Sequence, residues 1–158
     1  MKLNLKIRTL LVTLVLLMGA LPAAAVERPF ALTGGGVAGF ITDGAGNIIG
    51  ANVTASGTAT ECGLWTAVGT LFFAPDPNDP TKLVATGGAT LTAANGDKLE
   101  FVLENSVLDI PTSISTGNFR FVAGTGRFAA PSGVANYVVS QNLATGAFQL
   151  TAVGRIDF

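Results

Sequence analysis

Asn52-Val53-Thr54-Ala55-Ser56-Gly57-Thr58-Ala59-Thr60 places small or apolar residues at every odd position from 53 to 59 and polar ones at every even position. A period of two marks a strand with one dry and one wet face, because successive side chains point to opposite sides of a pleated sheet. The alternation returns near the C-terminus. Phe148, Leu150, Ala152, Gly154, Ile156 and Phe158 share one parity there, and Gln149, Thr151, Arg155 and Asp157 hold the other. Beyond residue 25 no stretch has helical periodicity.

Turn chemistry cuts this alternating chain into strand-length pieces. Asp43-Gly44-Ala45-Gly46-Asn47, Asn95-Gly96-Asp97 and Ala144-Thr145-Gly146 supply residues that tolerate positive φ, as tight hairpins require. Pro75-Asp76-Pro77-Asn78-Asp79-Pro80 reads as a break, since proline lacks the N–H that a ladder uses. The strands expected span about 35–42, 48–60, 64–74, 82–93, 98–107, 115–122, 134–141 and 147–157, with an irregular stretch around Leu108 to Ser113. Evenly spaced short strands point to a sandwich or a barrel. Frequent strand glycines, among them Gly34, Gly36, Gly57, Gly69, Gly87 and Gly88, favour the barrel, because closure uses bulges and strong coiling. The fold class expected is all-β: a small closed antiparallel β-barrel of about eight strands, calycin-like in plan.

The N-terminus has a different character. Met1-Lys2-Leu3-Asn4-Leu5-Lys6-Ile7-Arg8 carries three positive charges and no acid, and an apolar run from Leu10 to Met18 follows. That run is shorter than the ~20 residues of a membrane-spanning helix, and Ala23-Ala24-Ala25 beyond it offers a small-x-small cleavage site. Residues 1–25 are expected to be a signal peptide and residues 26–158 a single barrel domain. The protein is then exported, to the periplasm or outside the cell, with no membrane span in the mature chain. No Cys directly follows the apolar run, which argues against lipid attachment.

Composition excludes much chemistry. Three of the nine basic residues leave with the signal and all ten acidic residues stay, so the mature chain carries six against ten, a net charge of −4. It has no basic footprint for nucleic acid. His is absent, and Cys62 holds the only sulfur after the signal. Zinc sites of His and Cys, Ser-His-Asp triads, Cys-His dyads and His-ligated haem are excluded, and neither a metal nor another cofactor is expected. Cys62 cannot form an internal disulfide; it is either a buried inert thiol or a free reactive one.

Three runs carry a family resemblance: Gly57-Thr58-Ala59-Thr60-Glu61-Cys62-Gly63-Leu64-Trp65-Thr66, Thr92-Ala93-Ala94-Asn95-Gly96-Asp97-Lys98-Leu99, and Gly124-Thr125-Gly126-Arg127-Phe128-Ala129-Ala130-Pro131-Ser132-Gly133. Together they resemble the allene oxide cyclase and dirigent barrel superfamily over roughly Gly57 to Ala135, about half of the chain. The last run is similar to that group's Gly-Gly-Thr-Gly-x-Phe-x-x-Ala-x-Gly signature, with Ala123 at its first Gly and Pro131 at its Ala. The resemblance implies a barrel fold, an activity ranging from cyclase to none, and a homo-oligomer. The motif also has a physical reading: Gly124 and Gly126 take positive φ and aim Phe128 into the barrel, and Ser132-Gly133 starts the next strand.

Glu61 is the candidate catalytic residue. Parity from Val53 through Ala59 turns it inward, where desolvation would raise its pKa and equip it as a general acid or base; parity lost at the strand end leaves it solvated. Cys62, Trp65, Phe101 and Tyr137 are candidates for lining a lumen, and Gly124, Thr125, Gly126 and Phe128 form a structural motif. Arg120, Arg127 and Arg155 are expected to pair with carboxylates such as Glu100, Glu104 or Asp157 across strands. Three functions fit: a barrel binding a small apolar molecule, a cyclase or isomerase using an inward carboxylate, and an eight-stranded outer-membrane barrel ending at Phe158.

Overall fold

The computed structural model describes residues 27–158, so the signal peptide assigned to residues 1–25 lies outside the described residues. Strands β1 (Arg28–Thr42), β2 (Ile48–Ala59), β3 (Gly63–Asp76), β4 (Asp79–Ala93), β5 (Lys98–Asp109), β6 (Ile114–Gly124), β7 (Ser132–Gln141) and β8 (Ala147–Asp157) follow one another around a closed antiparallel barrel. β1 pairs with β8 to close it.

The register explains which face is dry. Val53, Ala55, Gly57 and Ala59 stand opposite Ala38, Gly36, Gly34 and Leu32 of β1, and opposite Gly69, Ala67, Trp65 and Gly63 of β3. These small and apolar residues share the inner surface. The alternate positions face outward, where the Thr33 and Thr58 hydroxyls meet and Thr70 donates to Asn52. At the expected hairpins Gly46, Gly96 and Gly146 adopt φ of +86°, +89° and +74°.

Several boundaries differ from those read off the sequence. β1 begins at Arg28 rather than near residue 35, because β8 supplies a partner for every residue from Arg28 to Val37 despite Pro29 and three consecutive glycines. Pro75 and Pro80 lie inside β3 and β4, not in a break between them. Pro75 sits beside a register shift, where a strand tolerates a residue that cannot donate. The stretch expected to be irregular from Leu108 is ordered as β5 up to Asp109.

A bulge in β5 decides which of its side chains enter the barrel. The register with β6 shifts between Glu104 and Val107, and Asn105 takes φ +48°, a conformation Asn tolerates better than most residues. The extra residue reverses parity. Leu99, Phe101 and Leu103 face inward before it; Ser106 and Leu108 are buried after it. Gly117 on β6 accommodates the bulge, since a Cβ there would press on the Ser106 backbone.

The two ends of the barrel are unlike. At the end where β1 starts, a 3₁₀ turn, Gly126–Phe128, brings in Phe128, which is fully buried and meets Phe158 edge to face with ring centres 4.9 Å apart. Phe30, Cys62, Leu99, Phe121 and Ile156 are buried in the same cluster, and Phe30 meets Phe121 edge to face. This end is plugged. At the opposite rim, Phe40, Phe73, Ser115 and Gln141 are only half-buried, and the hairpin loops around them are exposed.

Candidate functional site

The inner surface encloses a cavity of about 100 Å³ that runs from the plug toward the open rim. Its wall is built from Leu32, Trp65, Ala67 and Leu91 near the plug, Phe101, Phe119 and Tyr137 along β5 to β7, and Phe40, Phe73, Ser115 and Gln141 at the rim. Small residues at Ala38, Ala51, Ala55, Ala67 and Ala89 keep the space open where larger ones would fill it.

Three rings form a stack across adjacent strands. Phe101 and Phe119 have centres 4.3 Å apart, and Phe119 lies nearly parallel to Tyr137 at 4.5 Å. They present an aromatic wall to the lumen. Trp65 sits against β1 with the edge of its six-membered ring over Gly34; a Cβ on Gly34 would come within 2.5 Å of Cζ2. Gly34 is thus the slot that receives the edge of the indole.

Polar groups in the lumen wall or buried behind it are few. Ser106 and the Tyr137 hydroxyl share a hydrogen bond, with Ser106 only 1% exposed. Burial pushes the Tyr137 hydroxyl above its usual pKa, opposed by the Ser106 bond, so it stays protonated. Trp65 is 3% exposed and its Nε1–H has no hydrogen-bond acceptor. At the rim Gln141 Nε2 donates to Ser115 Oγ at 3.5 Å. No charged side chain contributes to the cavity wall.

Of the residues expected from sequence, Trp65, Phe101 and Tyr137 line the cavity. Cys62 does not; it is buried in the plug, where desolvation pushes its thiol up to about 11 against the opposing charge of Arg127. Glu61 does not face the lumen either. Residues 60–62 form a tight turn between Ala59 and Gly63, which ends the parity of β2, and the Glu61 carboxylate reaches Arg28 at 3.6 Å on the plugged end. The general acid or base that the enzyme reading assigned to Glu61 is therefore outside the cavity. Ser106 was missed, because simple alternation along β5 fails at the bulge; the signal available was Asn105, a residue suited to positive φ in mid-strand.

The Gly-Thr-Gly motif is structural, with one correction. Gly126 takes φ +59°, but Gly124 does not adopt positive φ; its hydrogen is needed because a Cβ would strike the carbonyls of Phe128 and Lys98. Thr125 exchanges hydrogen bonds with Lys98, its Oγ1 accepting at 3.0 Å and its N–H donating at 2.9 Å. Asp97 accepts from the Arg127 N–H and pairs with its guanidinium at 3.7 Å. Arg120 pairs with Glu104 as expected, whereas Arg155 finds Glu27.

No protein-family model matches the chain, and no curated protein matches it. The chemistry open to the barrel is set by its wall. An outer-membrane barrel has an apolar exterior and a polar interior. Here the lumen is apolar and the outer face is mixed: Thr residues, Glu104, Arg120 and Arg155 share it with exposed Val37, Ile49, Leu64, Val68, Phe72 and Val153.

Proposed function

We propose that this protein is an exported binding barrel that holds one small apolar molecule, or the slim end of one, in its lumen. The observation that carries the reading is the cavity of about 100 Å³, aromatic and aliphatic apart from Ser115 and Gln141 at its rim, and reached from that rim. Since ~150 Å³ lined by such side chains holds benzene whole, about 100 Å³ takes a narrow alkyl chain, or the leading part of a single ring whose remainder lies in the open rim. Apolar burial supplies the affinity, at roughly 25 cal/mol per Å² removed from water. The Arg or Lys that an ordinary anion site would use is missing from the wall.

The kinship read from the Gly124–Gly133 run belongs to the same proposal: a secreted member of the allene oxide cyclase and dirigent group acting as a binder. Outward Leu64, Val68 and Phe72 on β3, all exposed, support association of copies.

Trp65 is the only tryptophan and lies in the wall, so its emission reports on the lumen alone. Titration with toluene should give a saturable change in that emission, and Ala67→Leu, which narrows the lumen, should abolish it. A linear, unsaturable response would overturn the binding reading. Export is tested by fractionating cells that express the full chain: the mature form should appear in the periplasm or medium, and its retention in the cytoplasm would overturn that part.

A further inference from the structure

The lumen is apolar, yet one residue of its wall carries a buried hydrogen-bond donor that the protein itself does not satisfy. Trp65 Nε1–H is one of two buried side-chain polar atoms without a partner among the described residues, the other being Asp157 Oδ1. The indole can only donate. The Ser106 and Tyr137 hydroxyls, by contrast, are partnered with each other. A buried donor left bare is costly, so an occupant that offers an acceptor relieves a cost that a purely apolar one leaves in place.

Charge narrows the class further. The cavity wall has no Lys or Arg, and the chain has no His, so an anion placed there would lose its hydration without gaining a counter-charge. An amine would add a donor to a site already short of acceptors. The occupant that meets every condition is neutral, apolar and carries an accepting oxygen.

Resting on the proposed binding of a small apolar molecule, we infer that the lumen selects a neutral carbonyl compound built on a single ring, its oxygen accepting from Trp65 Nε1 and its ring beside the Phe101, Phe119 and Tyr137 stack. Trp65 sits toward the plug, so the carbonyl enters first and the apolar remainder points to the rim. Gly34 belongs to the same device, because the indole can occupy its place only while position 34 has no side chain.

Three probes of nearly equal shape separate the possibilities: acetophenone, ethylbenzene and benzoate, titrated into the intact mature protein by calorimetry. Acetophenone should bind roughly 2- to 13-fold more tightly than ethylbenzene, the range of one net hydrogen bond, and benzoate more weakly than either. The infrared carbonyl band of bound acetophenone should lie at lower wavenumber than in hexane. Trp65→Phe should remove the preference and return the band toward its hexane position. Equal affinity of acetophenone and ethylbenzene with an unshifted band would overturn the donor inference while leaving the apolar lumen intact. Failure of all three to bind would overturn the binding reading and this inference with it. Tightest binding of benzoate would overturn the neutral class. If Tyr137→Phe, which keeps the ring stack, removes the preference and Trp65→Phe does not, the assignment to Trp65 is overturned. The wild-type affinities and band position stand even where a variant fails to fold.

Discussion

Adding one methyl group at Gly34 should destabilise this protein, whereas adding the same group five residues along, at Gly39, should stabilise it. Both glycines lie in β1 and neither has positive φ, so backbone strain does not separate them. Their surroundings do. A Cβ at position 34 would approach Cζ2 and Cη2 of Trp65 at 2.5 and 2.8 Å and would overlap the Ser56 carbonyl, which the β1–β2 ladder holds in place. At position 39 the nearest atom is the Asn52 carbonyl at 3.7 Å, an ordinary contact. Overpacking of a fitted interior costs about 1–3 kcal/mol, while replacing glycine by alanine where the backbone permits it gains about 0.4–1 kcal/mol through the unfolded chain. The unfolded-chain gain applies at both positions, so the two variants should differ by the overpacking cost itself, about 1–3 kcal/mol, with wild type between them. Urea unfolding followed by circular dichroism measures this without relying on the indole. The emission of Trp65 should shift in Gly34→Ala and stay put in Gly39→Ala. Equal stabilities, or an unmoved emission in Gly34→Ala, would refute the account of the slot.

Other expectations concern the plug and the rim. Phe128→Ala should cost about 3–5 kcal/mol, the usual loss for a fully buried ring, and urea unfolding would show it as a lower midpoint at unchanged slope. The Cys62 thiol, pushed up to about 11 by burial, should ignore Ellman's reagent at pH 8 in the folded protein and react promptly in urea. Hydrogen bonds from Thr81 and Lys82 hold the Asp79 carboxyl down at about 2 from an ordinary 3.8. Their support is complete above pH 4 and drains away as acid is added from there to pH 2, which a carboxyl-carbon NMR titration should register as a midpoint near 2.

Much of the barrel was legible because its grammar is local. Alternation in Asn52–Thr60 and Phe148–Phe158 located β2 and β8, and glycines at 46, 96 and 146 located three turns, since each signal depends only on neighbours in the chain. The first half of β1 was hidden because its support comes from β8, which no local pattern around Pro29 or Gly34–Gly36 announces. The site was readable in part for the same reason. Aromatic residues on inward parity, Trp65, Phe101 and Tyr137, reach the wall; Glu61 and Ser106 depart from it because a tight turn and a bulge each reset parity, and both are decided by backbone geometry rather than by residue type.

The seam between β1 and β8 also has a consequence in time. Seven of the eight strand pairings join neighbours in sequence, so they can zip as hairpins in the order the chain emerges. The eighth joins Leu32 to Ala152 and Thr33 to Thr151, from opposite ends of the domain. Until it forms, β1 and β8 are two bare edges of an open, curling sheet, each able to pair with another molecule. Closure of that single seam spans the longest stretch of chain of the eight pairings, carries the largest loop-closure entropy, and ends the exposure of both edges. Protection of both sheet edges in this barrel thus rests on one ladder, and the stretch Arg28–Val37 is half of it.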